Sequence, residues 1–298
     1  MLAESQSRVE SVAPPADLVR PQTEVPPRPL VVIDGSRRWF ALGLAELWTH
    51  RELLYFLAWR DVKVRYKQTA LGAAWAILQP LLTMVVFSLL FGRLARVPAD
   101  GEPYPIFSYA ALLPWNFFVT AVTNSSNSLV ANSNLITKVY FPRIAIPVAA
   151  VGAALVDLAI ASLVLLVMMP WYGLAAHPGL LMIVLLVAVT TLFTAAIGIW
   201  TAAMNVKYRD VRYALPFAIQ MFMFLAPIIY PVTFVPARWR WALALNPLTG
   251  IIGGLRDAIF GRPFDWPALG LSLALSCVLA LVAACFFRRM EREFADLI

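Results

Sequence analysis

The sequence predicts an all-α polytopic membrane protein: six transmembrane helices, an N-terminal amphipathic interface helix, and two re-entrant helices on the periplasmic side. Three observations carry this. Hydrophobic residues make up 61% of the 298 and charged residues only 14%, with a mean hydropathy of +0.74, whereas soluble domains average about 25% charged. Apolar runs of about 20 residues, enough to cross a ~30 Å hydrocarbon core, recur along the chain. The basic residues behind the net charge of +7 fall in short clusters between those runs rather than along one soluble face, a pattern of membrane sidedness rather than nucleic-acid binding.

Residues 1–45 are rich in Pro and poor in aromatics, so an extended or disordered cytoplasmic tail is expected there. Their first 30 residues hold no continuous apolar core, so no cleavable signal peptide is expected. Residues 53–68, LLYFLAWRDVKVRYKQ, interleave Leu53, Leu54, Phe56, Leu57, Val62 and Val64 with Arg60, Lys63, Arg65 and Lys67. That mixture predicts an amphipathic helix at the cytoplasmic surface. Asp61 in its midst gains nothing from lipid headgroups and points to a protein contact.

The six spans are expected at 71–92, 106–122, 144–169, 179–204, 215–234 and 266–287. Lys138, Arg143, Lys207, Arg209 and Arg212 follow the second and fourth, and Arg288, Arg289 and Arg292 follow the sixth. Both termini and these connections therefore belong in the cytoplasm of a multi-pass protein of the bacterial inner membrane. Gln79 and Asn116 sit within spans and must face the bundle or a wet channel, and Pro80 invites a kink. Residues 124–143 are too polar to span; a short helix is expected around 126–134, limited by Pro142. Residues 231–264 mix Trp239 and Trp241 with an apolar stretch too short to cross, as re-entrant elements do.

These pieces together resemble the permeases of type-2 ATP-binding-cassette polysaccharide exporters. The matching text is RDVKVRYKQTALGAAWAILQPL from Arg60, LPWNFF from Leu113, LITKVYFPR from Leu135, NVKYRDVRYALP from Asn205 and LNPLTGIIGGLRDAIFG from Leu245. It runs over about residues 46–290, leaving 291–298 as a cytoplasmic C-terminus and an N-terminal tail longer than the family pattern. The resemblance implies export of lipid-linked polysaccharide of the O-antigen, capsule or teichoic-acid type. It implies a homodimer of this chain and a separate nucleotide-binding ATPase subunit, whose ATP and Mg are held there and not here. It makes 53–68 a gate helix at the substrate entry, with Arg60, Asp61, Lys63, Arg65 and Lys67. It makes 126–134 a coupling helix, with Ser128, Asn132, Asn134, Lys138 and Arg143 as ATPase-coupling candidates, and 231–264 the periplasmic re-entrant pair.

The residues themselves agree on energy supply. A phosphate-binding loop needs Gly-x-x-x-x-Gly-Lys-Ser/Thr, and the four lysines, Lys63, Lys67, Lys138 and Lys207, follow Val62, Tyr66, Thr137 and Val206. ATP must then be hydrolysed by another chain. The alternatives are a drug or lipid exporter of the same superfamily, an ion-coupled carrier or a membrane enzyme. Carriers place several carboxylates or histidines at membrane depth, and only Asp157 lies well inside a span; an interhelical hydrogen-bonding role is the simpler reading of it. An enzyme needs a positioned base, nucleophile or metal cluster, and no His/Asp/Glu set recurs at helical spacing, so no catalytic residue is assigned. Cys277 and Cys285 lie about 12 Å apart along one helix axis, too far for a disulfide, and no metal site is expected. A polymer that must slide suits aromatic faces, so the channel candidates are Trp75, Phe87, Tyr109, Trp115, Phe117, Phe118, Phe222, Phe224 and Tyr230, with the amides of Gln79 and Asn116.

Overall fold

The structure is a computed structural model describing residues 48–67, 72, 74–138, 141–291 and 293–294. The chain divides into two units, Met1–Phe40 and Ala41–Ile298, and every described residue belongs to the second. The tail expected over 1–45, Gln68 and Leu71 at expected helix ends, and Arg292 lie outside the described residues.

Among the described residues all regular structure is helical. The helices are α1 (Arg51–Lys67), α2 (Ala74–Phe87, prolonged by a π-helical Ser88–Leu94), α3 (Tyr104–Ala131), α4 (Ser133–Lys138) and α5 (Ala145–Trp171). Then come α6 (Met182–Lys207, entered through the 3-10 turn Pro178–Leu181), α7 (Val211–Leu225), α8 (Ala237–Ala244), α9 (Pro247–Phe260) and α10 (Trp266–Glu291). Five helical stretches are long and apolar enough to cross a membrane: Ala74–Leu94, Tyr104–Ala131, Ala145–Trp171, Pro178–Lys207 and Trp266–Glu291. Their length and composition make this an integral membrane protein.

Helix α3 forms the centre. In its most apolar window 78% of residues are buried, against 6% for the α2 stretch and 17% for α10; α5 and α6 pack along it. The polar run after the expected second span does not end this helix. Instead of a separate helix over 126–134, α3 continues to Ala131 and a distinct short helix, α4, begins at Ser133. The polar side chains are absorbed by helix carbonyls: Ser128 donates to Ser125 O, Asn127 to Thr123 O and Asn132 to Ser128 O. Ser125 donates across to Pro147 O, and Asn205 Nδ2 donates to Ser126 O from α6. A serine- and asparagine-rich helix can thus stay helical in a buried place, because short polar side chains find acceptors within one turn or on the neighbouring backbone. Gly198 allows that approach: a Cβ there would lie 2.7 Å from Ser125 Oγ.

Around this end of α3, Leu57, Leu129, Ile136, Phe141, Ala203 and Phe287 form one apolar cluster. It gathers the connections bearing Lys138, Arg143, Lys207, Arg209 and Arg288 at one end of the bundle, the basic end.

The continuous helix expected over 215–234 is the main departure. Helix α7 stops at Leu225, about 22 Å long at 1.5 Å per residue. The chain then runs without helix through 226–231. Every carbonyl from Leu225 to Ile229 except that of Ala226 is taken by a distant side chain. Asn246 Nδ2 donates to Leu225 O, Arg256 donates through Nη1 to Pro227 O and through Nη2 to Ile228 O, and Tyr104 Oη donates to Ile229 O at 2.7 Å; Ala226 O receives the Ile228 amide. Irregular backbone away from water survives only when its polar groups are satisfied this way. Tyr104 begins α3 at the end opposite the basic one, so the extended tail of α7 runs beside the start of α3.

The segment 231–264 holds two short helices, α8 and α9. Helix α9 is bounded by sequence signals: Asn246 accepts from Leu248 N at 3.0 Å as N-cap, Pro247 occupies the first turn, and Gly261 closes the helix at φ 68°. These are the residue types each place favours. Cys277 and Cys285 are both exposed on α10.

Candidate functional site

Helix α1 lies against α5. Leu57 and Val62 are buried, and Ala58 approaches Gly152, where a Cβ would stand 3.7 Å away. Further along the same two helices Arg65 forms an ion pair with Asp157, and Tyr66 Oη donates to the other carboxylate oxygen. The acid that stands alone within its span is therefore matched by a cation and a phenol from α1. Burial, and then the bond to and charge of Asp157, push the Tyr66 phenol up to about 12, so it stays a donor.

The other face of α1 is open. Tyr55, Phe56 and Trp59 are exposed, with Tyr55 and Trp59 stacked at 6.5 Å and Lys63 Nζ over the Trp59 ring at 5.6 Å. Arg60 pairs with its neighbour Asp61 at 2.9 Å, so within the chain this acid is taken by α1 itself. Lys67 is exposed.

Where α1 ends, a cavity of about 200 Å³ opens between α1, α2, α3 and α5. Helix α2 contributes Trp75, Gln79 and Pro80, α3 contributes Asn116, Phe117 and Thr120, and Arg65, Tyr66 and Asp157 close one wall. Asn116 Nδ2 is buried here with no hydrogen-bond partner. Four of the channel candidates, Trp75, Gln79, Asn116 and Phe117, thus come together at one place.

The remaining candidates separate. Tyr109 is wholly buried, donating to Ala161 O at 2.9 Å. Trp115 and Phe118 are buried and Phe222 partly so; Phe118 stacks on Phe193 at 5.4 Å, with Trp115 and Phe222 against it. This is helix packing, so of these rings none stands free on the chain surface. Phe87 packs edge-on to Phe91, and Phe224 is exposed. Tyr230 donates to Phe224 O and faces a second, apolar cavity of about 580 Å³ with Phe222, Trp239 and Leu279.

At the basic end the coupling candidates also divide. Ser128 and Asn132 bond to the α3 backbone, and Arg143 Nη1 donates to Glu291 O at 2.8 Å. Asn134 and Lys138 remain exposed. Lys207 pairs with Glu293 at 3.0 Å, so both basic connections are tied to the end of the chain. No group of three metal-ligating residues gathers among the described residues.

Sequence reasoning missed two sets of residues. The partner of Asp157 lies on a different element, and only the Arg-Tyr pair ending an amphipathic segment hints at it. Arg256 reads as one of four basic residues beyond the fifth span, yet it is buried, with Nε also directed to Phe107 O and its guanidinium 3.5 Å above the Phe107 ring. Arg240 and Arg262 are likewise engaged, on Thr233 and Val235 carbonyls and on Asp100 and Glu102.

Known proteins resemble the chain over this whole arrangement. It is 31% identical over 257 residues, 84% of this chain and 97% of the relative, to the O-antigen export system permease protein RfbA of Myxococcus xanthus. It is 27% identical over 248 residues, 83% and 95% of the two chains, to the protein of that name in Klebsiella pneumoniae. With the polysialic acid transport protein KpsM of Escherichia coli it shares 23% over 236 residues, 78% and 91%. Residues 52–260, from α1 to the end of α9, match the family described as ABC-2 type transporter, and a match through both the α1 joint and the capped α9 makes the chain a member of that family.

Proposed function

We propose that this chain is the membrane subunit of an ATP-driven exporter that moves lipid-linked polysaccharide, of O-antigen or capsule type, across the bacterial inner membrane. The observation that carries this reading is that relatives named for O-antigen export are matched over 95% and 97% of their own length, so the likeness covers nearly the whole permease protein.

In this reading the chain crosses the membrane six times, α7 with residues 226–231 making the fifth crossing, and both termini are cytoplasmic. The basic end faces the cytoplasm, a reading supported by the excess of Lys and Arg there. Helix α1 is the gate helix, its open Tyr55, Phe56 and Trp59 face at the headgroup level where amphipathic rings are favoured, and Arg60, Lys63 and Lys67 near the entering lipid phosphate. Helices α8 and α9 are the re-entrant pair. Exposed Asn134 and Lys138 at α4 meet a separate nucleotide-binding subunit, which supplies hydrolysis of ATP with Mg. Two copies of the chain enclose the path, with the little-buried α2 and α10 free for that contact or for lipid.

Deleting the gene in its host and probing for surface polysaccharide tests this. Loss of surface polymer with accumulation of lipid-linked chains inside, restored by the gene, is expected. Normal surface polymer in the deletion strain, with a drug or lipid retained instead, would reassign the cargo.

A further inference from the structure

Resting on the reading of polysaccharide export, we infer that the cavity where α1 meets α2, α3 and α5 is a subsite for one uncharged sugar ring of the polymer. The charge balance selects the ligand. The Arg65 guanidinium is already paired with Asp157, so the site holds no free cation for a phosphate and the wall is neutral as a whole. What remains is hydroxyl and amide chemistry. Asn116 Nδ2 is buried without a partner and is a donor awaiting an acceptor, since leaving a buried donor unmet is costly. Gln79 offers both a donor and an acceptor, Thr120 a hydroxyl, and Asp157 lone pairs beyond those its two partners use.

Two rings, Trp75 and Phe117, line the same space. A pyranose presents C–H faces to such rings while its hydroxyl edge meets amides, a pairing that neither an acyl chain nor a phosphate would use. Size sets the number of units. About 200 Å³ falls below the ~300–1,000 Å³ of sites for drug-sized ligands, so one ring fits and an oligosaccharide does not. Pro80, also in the lining, has no N–H to return to Ala76 O one turn earlier, which leaves a further acceptor beside the cavity. Because Asp157 is both a wall of the subsite and the anchor of α1, a ring held there is read by the gate helix directly.

The test uses the full chain in native membranes, with Cys277 and Cys285 replaced by serine and a single reporter, Thr120→Cys, which leaves Asn116 in place. Labelling by a hydrophilic maleimide is timed in cells that make the polymer and in the same strain with polymer synthesis blocked. Labelling at least five-fold slower in the producing cells is expected. Equal rates in both strains leave the cavity to water, and no labelling in either shows it closed to polar molecules; each overturns the subsite. In parallel, Asn116→Leu is expected to lower surface polymer at least ten-fold while the chain still co-purifies with the ATP-binding subunit, and full surface polymer from that variant also overturns it. Failure of the functional reading is separately visible, because surface polymer would then not depend on the wild-type gene.

Discussion

Two arginines tie distant parts of this bundle together, and they do it by opposite means. Arg65, beside the middle of α5, meets one carboxylate across two helices with its side chain still 27% exposed. Arg256, at the end opposite the basic one, is 5% exposed and meets carbonyl oxygens of Phe107, Pro227 and Ile228 and the face of an aromatic ring. Arg65 gives up a single carboxylate partner when its ion pair opens. A guanidinium buried among carbonyls cannot leave without stranding each of them. The first joint is therefore suited to motion and the second to permanence. Helix α1 hangs from the first, and the helical break after α7 is built on the second.

The largest expected effect follows at the fixed joint. Arg256→Met keeps the volume but strands the carbonyls of Pro227 and Ile228, at about 1–3 kcal/mol each, against a total stability of about 5–15 kcal/mol. Little monodisperse protein is expected in fluorescence-detected gel filtration. Arg256→Lys, lacking the fork, should fall between. Wild-type yield and melting from Arg256→Met would mean that the extended segment satisfies itself.

The same end sharpens further through two glycines on one helix. A Cβ at Gly250 would stand 2.3 Å from Ser272 Oγ and 2.6 Å from Ala268 O on α10, whereas one at Gly253 meets nothing within 4 Å. Gly250→Ala should cost about 1–3 kcal/mol by forcing α9 from α10. Gly253→Ala should be neutral or stabilise by up to about 1 kcal/mol through helix propensity. Equal melting temperatures of the two variants would show that the close approach to α10 carries no stability.

At the mobile joint Asp157→Asn should leave the bundle folded and loosen α1. Hydrogen exchange over 53–67 should quicken several-fold while exchange in α9 stays unchanged, and the charge-reversed pair Arg65→Asp with Asp157→Arg should restore much of the protection. Uniform destabilisation of both regions would show that they are one cooperative unit and not two joints of different kinds.

The contrast also explains what the sequence made legible. Long apolar runs announce themselves, and the Asn246-Pro247 start and Gly261 stop of α9 are local signals readable without a fold. The basic clusters are equally readable, because sidedness depends on count, not on partners. What stayed hidden depends on contacts between distant elements. Pro227, two residues past Leu225, is a local mark of the end of α7, but the donors that let the following backbone run without helix sit at positions 104, 246 and 256. The polar run after Val122 reads as the end of a span followed by a separate short helix over 126–134, because the hydrogen bonds that keep it in α3 return to that helix and to Asn205. Aromatic type alone did not divide Trp75, in the cavity wall, from Trp115, in the packing around Phe118, because exposure is decided by neighbours.

Tyr66 gives the smallest expected effect and the sharpest view of the mobile joint. Its hydroxyl donates to Asp157 beside the ion pair, so Tyr66→Phe removes one hydrogen bond to a charged acceptor and leaves Arg65 in place. On a part-exposed site that is worth on the order of 1 kcal/mol. The pH dependence identifies it. The phenol is pushed up to about 12 from 10.0, by burial first and Asp157 second. A raised value in the folded state means that the stabilisation is fully present below the unfolded value and is lost as pH rises through the folded one. The difference between wild type and Tyr66→Phe should therefore be flat from pH 6 to 9 and shrink between pH 10 and 12. Melting of the two proteins in parallel across that range measures it. A difference that fades below pH 9 would mean that a group other than the Tyr66 phenol sets it.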